Sequence, residues 1–145
     1  LVIAAGAGPG TGEERKRTVD LGGAVKLVEA AQALGIRRYV MVSSIGADDP
    51  RRADEKMRPY LEAKAEADAA LEAAGLDHTI VRPGMLTDDP GRGTVSAGPD
   101  LGRDEVARDD VAAVLAAALV ADNTIGKTFV VVRGETPVEE AVAAI

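Results

Sequence analysis

Short apolar runs alternate along this chain with segments of helical periodicity, and few folds accommodate that alternation. Residues 1–5, Leu1-Val2-Ile3-Ala4-Ala5, are apolar throughout and lead into glycines. Such a run fits a strand buried on both faces, as in parallel sheets. Over residues 18–34, Leu21, Ala24, Val25, Val28, Ala31 and Leu34 recur at helical spacing, and Gly35 stops that helix at its C′ position. A second buried strand is expected at residues 37–43. Pro59 suits the first turn of the next helix, where its missing N–H costs nothing; that helix runs to about Ala74 and stops at Gly75. Residues 78–81 read as a third strand, closed by Arg82-Pro83-Gly84, and residues 127–132 as a fourth. Asp109 or Asp110 is expected to cap a helix through Leu119, and Pro137 to begin a short last one. Residues 85–107 read as a long irregular stretch with a short strand at 94–97, and a loop of that length in a compact domain is functional or mobile.

Strand and helix in alternation imply parallel pairing through right-handed crossovers, hence one α/β domain over residues 1–145 with a doubly wound parallel sheet. Ligands of such sheets bind beyond the carboxyl ends of the strands. Those ends carry the glycine-rich run 6–12, Ser43-Ser44 and Arg82-Pro83-Gly84, so these three features fall on one rim.

Composition removes several classes of function. Aromatic residues make up 2% of the chain, so the core must be aliphatic. A net charge of −7 argues against non-specific nucleic-acid binding, which needs basic surface. Without cysteine there is no disulfide, thiolate nucleophile or thiolate-bound metal, and the lone His78 supplies no histidine metal site. The acid pairs Asp48-Asp49 and Asp88-Asp89 sit in loops where neighbours rarely converge, so no metal is expected. No apolar run reaches the ~18 residues of a membrane span.

Chemistry concentrates at Tyr60 and Lys64, four residues apart on one helix face. A cationic Lys64 is expected to lower the phenol pKa from about 10. Tyr60 then exchanges a proton with a substrate oxygen that Ser44 orients, and Lys64 can donate to ribose hydroxyls. The plain alternative is a packing tyrosine and a surface lysine paired with Asp68, one turn further on. The glycine run can bring backbone N–H groups to phosphate or ribose oxygens, or serve only as a turn. Arg15, Lys16 and Arg17 either face an anionic ligand or form a solvated cluster. Gly22-Gly23 inside a helix costs about 1 kcal/mol per glycine, which close packing against the sheet or a cofactor would justify.

Ser43-Ser44, Tyr60-x-x-x-Lys64, Val81-Arg82-Pro83-Gly84 and Arg108-Asp109-Asp110-Val111-Ala112, in this order, resemble the short-chain dehydrogenase/reductase superfamily. The likeness is greatest to its atypical branch, the bacterial NAD(P)H-binding, NmrA-like proteins, and it covers nearly the whole chain. It implies a Rossmann-type sheet with NAD or NADP across the strand ends. It places Ser44, Tyr60 and Lys64 on the catalytic triad. Ala5, Gly6, Ala7 and Gly8, with Ser43 and Lys64, fall where the cofactor is lined, and Arg82, Pro83 and Gly84 fall beside the nicotinamide. The implied activity is oxidoreduction of a small carbonyl or quinone by a cytoplasmic monomer or homodimer, with no nucleic-acid or membrane partner. Alternatives within the resemblance are a non-catalytic redox-sensing module and a sugar-nucleotide epimerase or dehydratase. The short region after Val81 leaves little room for a sugar-nucleotide subdomain. Family members begin with a strand, a G-x-x-G-x-x-G turn and a helix that hold the pyrophosphate. This sequence resembles the C-terminal two-thirds of such a protein, so an open edge at its first strand and weak cofactor binding by these 145 residues alone are expected.

Overall fold

A computed structural model describes residues 1–8 and 10–145. The chain runs β1 (Val2–Ile3), α1 (Glu13–Lys16), a π turn (Arg17–Leu21), α2 (Gly22–Ala33), β2 (Arg38–Val42), α3 (Arg58–Ala73) and β3 (Asp77–Pro83). There follow β4 (Met85–Thr87), β5 (Thr94–Gly98), β6 (Glu105–Ala107), α4 (Arg108–Val120), β7 (Lys127–Arg133), β8 (Thr136–Pro137) and α5 (Val138–Ala143). The main sheet has the order β1-β2-β3-β7-β5-β8, and β4 pairs with β6 in a separate parallel ribbon.

The alternation of side chains across a strand builds the two-faced core. Tyr39 and Met41 of β2, with Ile80 of β3, pack on one face under Ala24, Val28 and Ala31 of α2 and Ala67 and Leu71 of α3. Val40, Val81, Phe129 and Val131 point to the other face, under Val111, Val114 and Leu115 of α4 and Val138 and Val142 of α5. Helices therefore cover both faces, and the mostly parallel α/β sheet is Rossmann-like, as the alternation implies. Both helix stops hold as read: Gly35 and Gly75 adopt φ +67° and +69°, the left-handed C′ conformation.

Four expectations need correction. The sheet is not wholly parallel, because β5 runs antiparallel to both β7 and β8. Within residues 85–107 the strand expected at 94–97 is present as β5, but the stretch also holds β4 and β6, whose three residues each are too short to show a period. The first helix begins at Glu13, five residues before Thr18, and the π turn breaks the 3.6-residue pattern that would have shown this. Neither Asp109 nor Asp110 caps α4, whose N-cap is Ala107 without a side-chain bond. Asp110 instead turns back, and its carboxylate accepts the backbone N–H groups of Arg92 at 2.9 Å and Gly93 at 2.8 Å.

Candidate active site

The parallel strands β1, β2 and β3 deliver their following loops to one rim, and α3 brings its first two turns alongside. Between them lies a cleft of about 530 Å³. Its lining includes Ala5, Gly6, Gly8, Ser43, Tyr60 and Lys64, six of the residues singled out by sequence. Pro9, inside the glycine-rich run, lies outside the described residues.

Lys64 is buried, which removes the reading of it as a surface lysine. Its Nζ stands 3.3 Å from Asp20 Oδ1, donates to the Val42 carbonyl at 3.3 Å, and lies 5.8 Å from the centre of the Tyr60 ring. Asp20 itself has no water-exposed side-chain surface. Its other oxygen accepts the N–H of Ala7 at 3.1 Å, so one carboxylate ties the loop after β1 to the lysine of α3. A Cβ on Gly6 would stand 3.1 Å from Asp20 Oδ1, so glycine lets the loop approach this closely.

Asp20 was not legible as a site residue. It sits in the π turn, a distortion that recurs at functional positions and carries no sequence signature of its own. The nearby Gly22-Gly23 pair was a distant signal at best. A Cβ on Gly23 would meet nothing within 4 Å, so close packing does not explain it.

Asp68 does not pair with Lys64 either. Its Oδ2 accepts the Ser43 hydroxyl at 2.9 Å and two N–H groups of Arg82, at 2.9 and 3.2 Å. Burial raises the Asp68 carboxyl above its ordinary pKa, opposed by the bonds from Ser43 and Arg82. Tyr60 also departs from expectation. Its phenol is raised above the ordinary value, chiefly by burial; the Ser44 hydroxyl opposes this, and the charges of Asp20 and Asp68 add to it. The Lys64 ammonium, 5.8 Å from the ring centre, is paired with Asp20.

The remaining residues separate. Ser44 and Gly84 line an adjoining cavity of about 500 Å³, which shares Met57 as a wall with the first. Arg82 is drawn away to Asp68, Pro83 is buried within β3, and neither lines the two cavities. Ala7 contributes its N–H to Asp20 rather than a surface to the cleft.

Among the described residues the cleft is lined by the cations Lys16, Lys56, Lys64 and Arg108 and by no carboxylate, although the chain as a whole is acidic. Arg108 is paired with Asp88 at 2.7 Å; Lys16 and Lys56 have no ion pair among the described residues. Cations, side-chain-free glycine backbone and a phenol fit a ligand that carries phosphates and ribose hydroxyls.

Known proteins bear on this chemistry. A family model of NAD(P)H-binding proteins matches residues 1–122. The Bacillus subtilis protein YhfK, described as an uncharacterised sugar epimerase, is 45% identical over 141 residues, 97% of this chain and 66% of its own length. A solved structure from Bacillus halodurans, a candidate NAD-dependent epimerase/dehydratase, superposes with TM-score 0.96 at 42% identity over 99% of this chain and 68% of that one. The oxidoreductase ylbE of Lactococcus lactis follows with TM-score 0.88 at 28% identity, over 99% of this chain and 66% of that one. The chain spans about two thirds of the length of these relatives.

Proposed function

The chain belongs to the NAD(P)H-binding family, and from that premise we propose that it carries the reaction centre of an NAD(P)H-dependent reductase of the atypical short-chain type. The observation that carries this reading is the shared cleft, where Tyr60 and Lys64 meet the glycine loop at the carboxyl rim of the sheet. NAD(P)H, when bound, supplies a hydride to the carbonyl carbon of an acceptor. The Tyr60 hydroxyl gives its proton to the carbonyl oxygen, so C=O becomes CH–OH, and solvent returns the proton to Tyr60. Ser44, whose hydroxyl lies beside Tyr60, orients the same oxygen. Lys64, held by Asp20 and the Val42 carbonyl, has one donor left for a ribose hydroxyl, with Ala5, Gly6, Gly8 and Ser43 lining the same bed.

The test is oxidation of NADH and NADPH by the full-length protein with a panel of carbonyl compounds and quinones. Tyr60→Phe should lower turnover by about 10²–10⁴-fold, the ordinary worth of general acid catalysis. Unchanged activity in Tyr60→Phe and Lys64→Ala would sink the mechanism. The description of YhfK as a sugar epimerase favours a second reading, in which Tyr60 removes a proton instead. A phenol raised above its ordinary pKa is poorly suited to that task. An epimerase would interconvert sugar nucleotides with no net cofactor oxidation, which proton NMR of the sugar reads directly.

A further inference from the structure

The second cavity, of about 500 Å³, has a chemistry distinct from the cationic cleft. Ile45, Met57, Leu61 and Met85 give it apolar walls. Met57 and Met85 keep 42% and 67% of their surface exposed, and their flexible thioether chains adapt to an apolar ligand. The Ser44 hydroxyl and the Gly84 backbone join it to the reaction centre, and Arg103, Asp104 and Glu105 complete the lining.

The three charged residues of the lining differ in their partners. Glu105 is paired with Arg133. Asp104 accepts the backbone N–H of Glu105 at 2.8 Å. Arg103 makes no ion pair and no side-chain hydrogen bond among the described residues, although Asp48, Asp49 and Asp100 line the neighbouring cavity that it also borders. Among the described residues it is the single cation that lines this cavity.

Gly46 explains how the guanidinium is seated. Its φ is +91°, and a Cβ there would lie 2.8 Å from Arg103 Nη2 and 3.3 Å from Leu61 Cδ1. The glycine thus leaves a notch through which Arg103 reaches the cavity beside Leu61. An unpaired guanidinium over apolar walls is suited to the fork of two oxygens on a carboxylate or sulfonate.

We propose that this cavity is the acceptor site, that the acceptor is an amphipathic anion, and that Arg103 selects it by binding its anionic group while Met57, Leu61 and Met85 hold its apolar body. The inference rests on the reductase reading for the role of the bound molecule as acceptor.

Two probe pairs test it on the full-length protein: benzaldehyde against its para-carboxylate, and a naphthoquinone against its sulfonate. Affinity is measured by calorimetry or ligand-observed NMR in the presence of the oxidised cofactor, so that no turnover is needed. The anionic member of each pair should bind about tenfold more tightly than the neutral one, from one charge-assisted hydrogen-bond pair. Arg103→Gln should remove that preference and leave the neutral probe unaffected. Arg103→Lys should restore part of it. Met85→Ala should weaken both members alike. Equal binding of neutral and anionic probes, a preference that survives Arg103→Gln, or no binding of any probe would each overturn the proposal. Selective binding without NAD(P)H oxidation would leave Arg103's role standing and remove the reductase reading. Turnover insensitive to acceptor charge would do the reverse.

Discussion

Lys64 is paired to Asp20, and burial raises the Tyr60 phenol above its ordinary pKa. On the proposed mechanism the active form for reduction is the neutral phenol. Its population falls only as pH rises through the phenol pKa, which burial holds above the ordinary 10.0. The reductive rate should therefore stay level across neutral and mildly alkaline pH, without the decline near neutrality that a lowered phenol would give. A pH profile of cofactor oxidation reads this, and a drop centred near pH 7 would contradict it. At this scale the sequence was informative where partners are near in the chain and silent where they are far. Tyr60 and Lys64 could be paired from their four-residue spacing. Asp20 could not be matched to Lys64, because only the crossing of the π turn over α3 brings them together. The same gap misassigned Asp68, whose real partners, Ser43 and Arg82, come from the ends of two strands.

At the scale of elements, the boundaries set by glycine and proline held, and those that depended on long-range pairing did not. Pro59 lies at the start of α3 and Gly75 just past its end, each for a backbone reason local to the residue. The ribbon of β4 and β6 has no such local cause. It forms because the chain after β3 is met by a segment about twenty residues later. Gly84 is the hinge of that meeting, since a Cβ there would stand within 2.0 Å of the Asp104 carbonyl oxygen. Gly84→Ala should therefore push β6 off β4 and open the acceptor cavity. The expected result is a stability loss of about 1–3 kcal/mol, from forced overpacking, in chemical denaturation. Amide exchange should quicken at Met85, whose N–H donates to the Asp104 carbonyl. An unchanged midpoint and unchanged protection at Met85 would remove this account of Gly84.

For the whole molecule, the two-layered arrangement was readable because alternating apolar runs leave few ways to cover both faces of a sheet. The reversal at β5 was not, because it depends on a five-residue strand inserted between β7 and the two residues of β8. Among the described residues no helix is long and apolar enough to cross a membrane. The lining of the reaction cleft has a bearing on how quickly its visitors arrive. A net charge of −7 disfavours the approach of an anion on average, while the opening beside Lys16 and Lys56 attracts it over roughly one Debye length, about 8 Å in physiological salt. Capture then begins only in the last layers of water, and misdirected collisions are turned back rather than held. Stopped-flow mixing of the full-length protein with NADPH should show an association rate that falls with added salt and a departure rate that barely changes. Lys16→Gln with Lys56→Gln should flatten the first slope, and a slope that survives both changes would mean that other charges guide the approach. With the two lysines in place, the expected speed of encounter depends on a small cationic opening in an otherwise acidic chain.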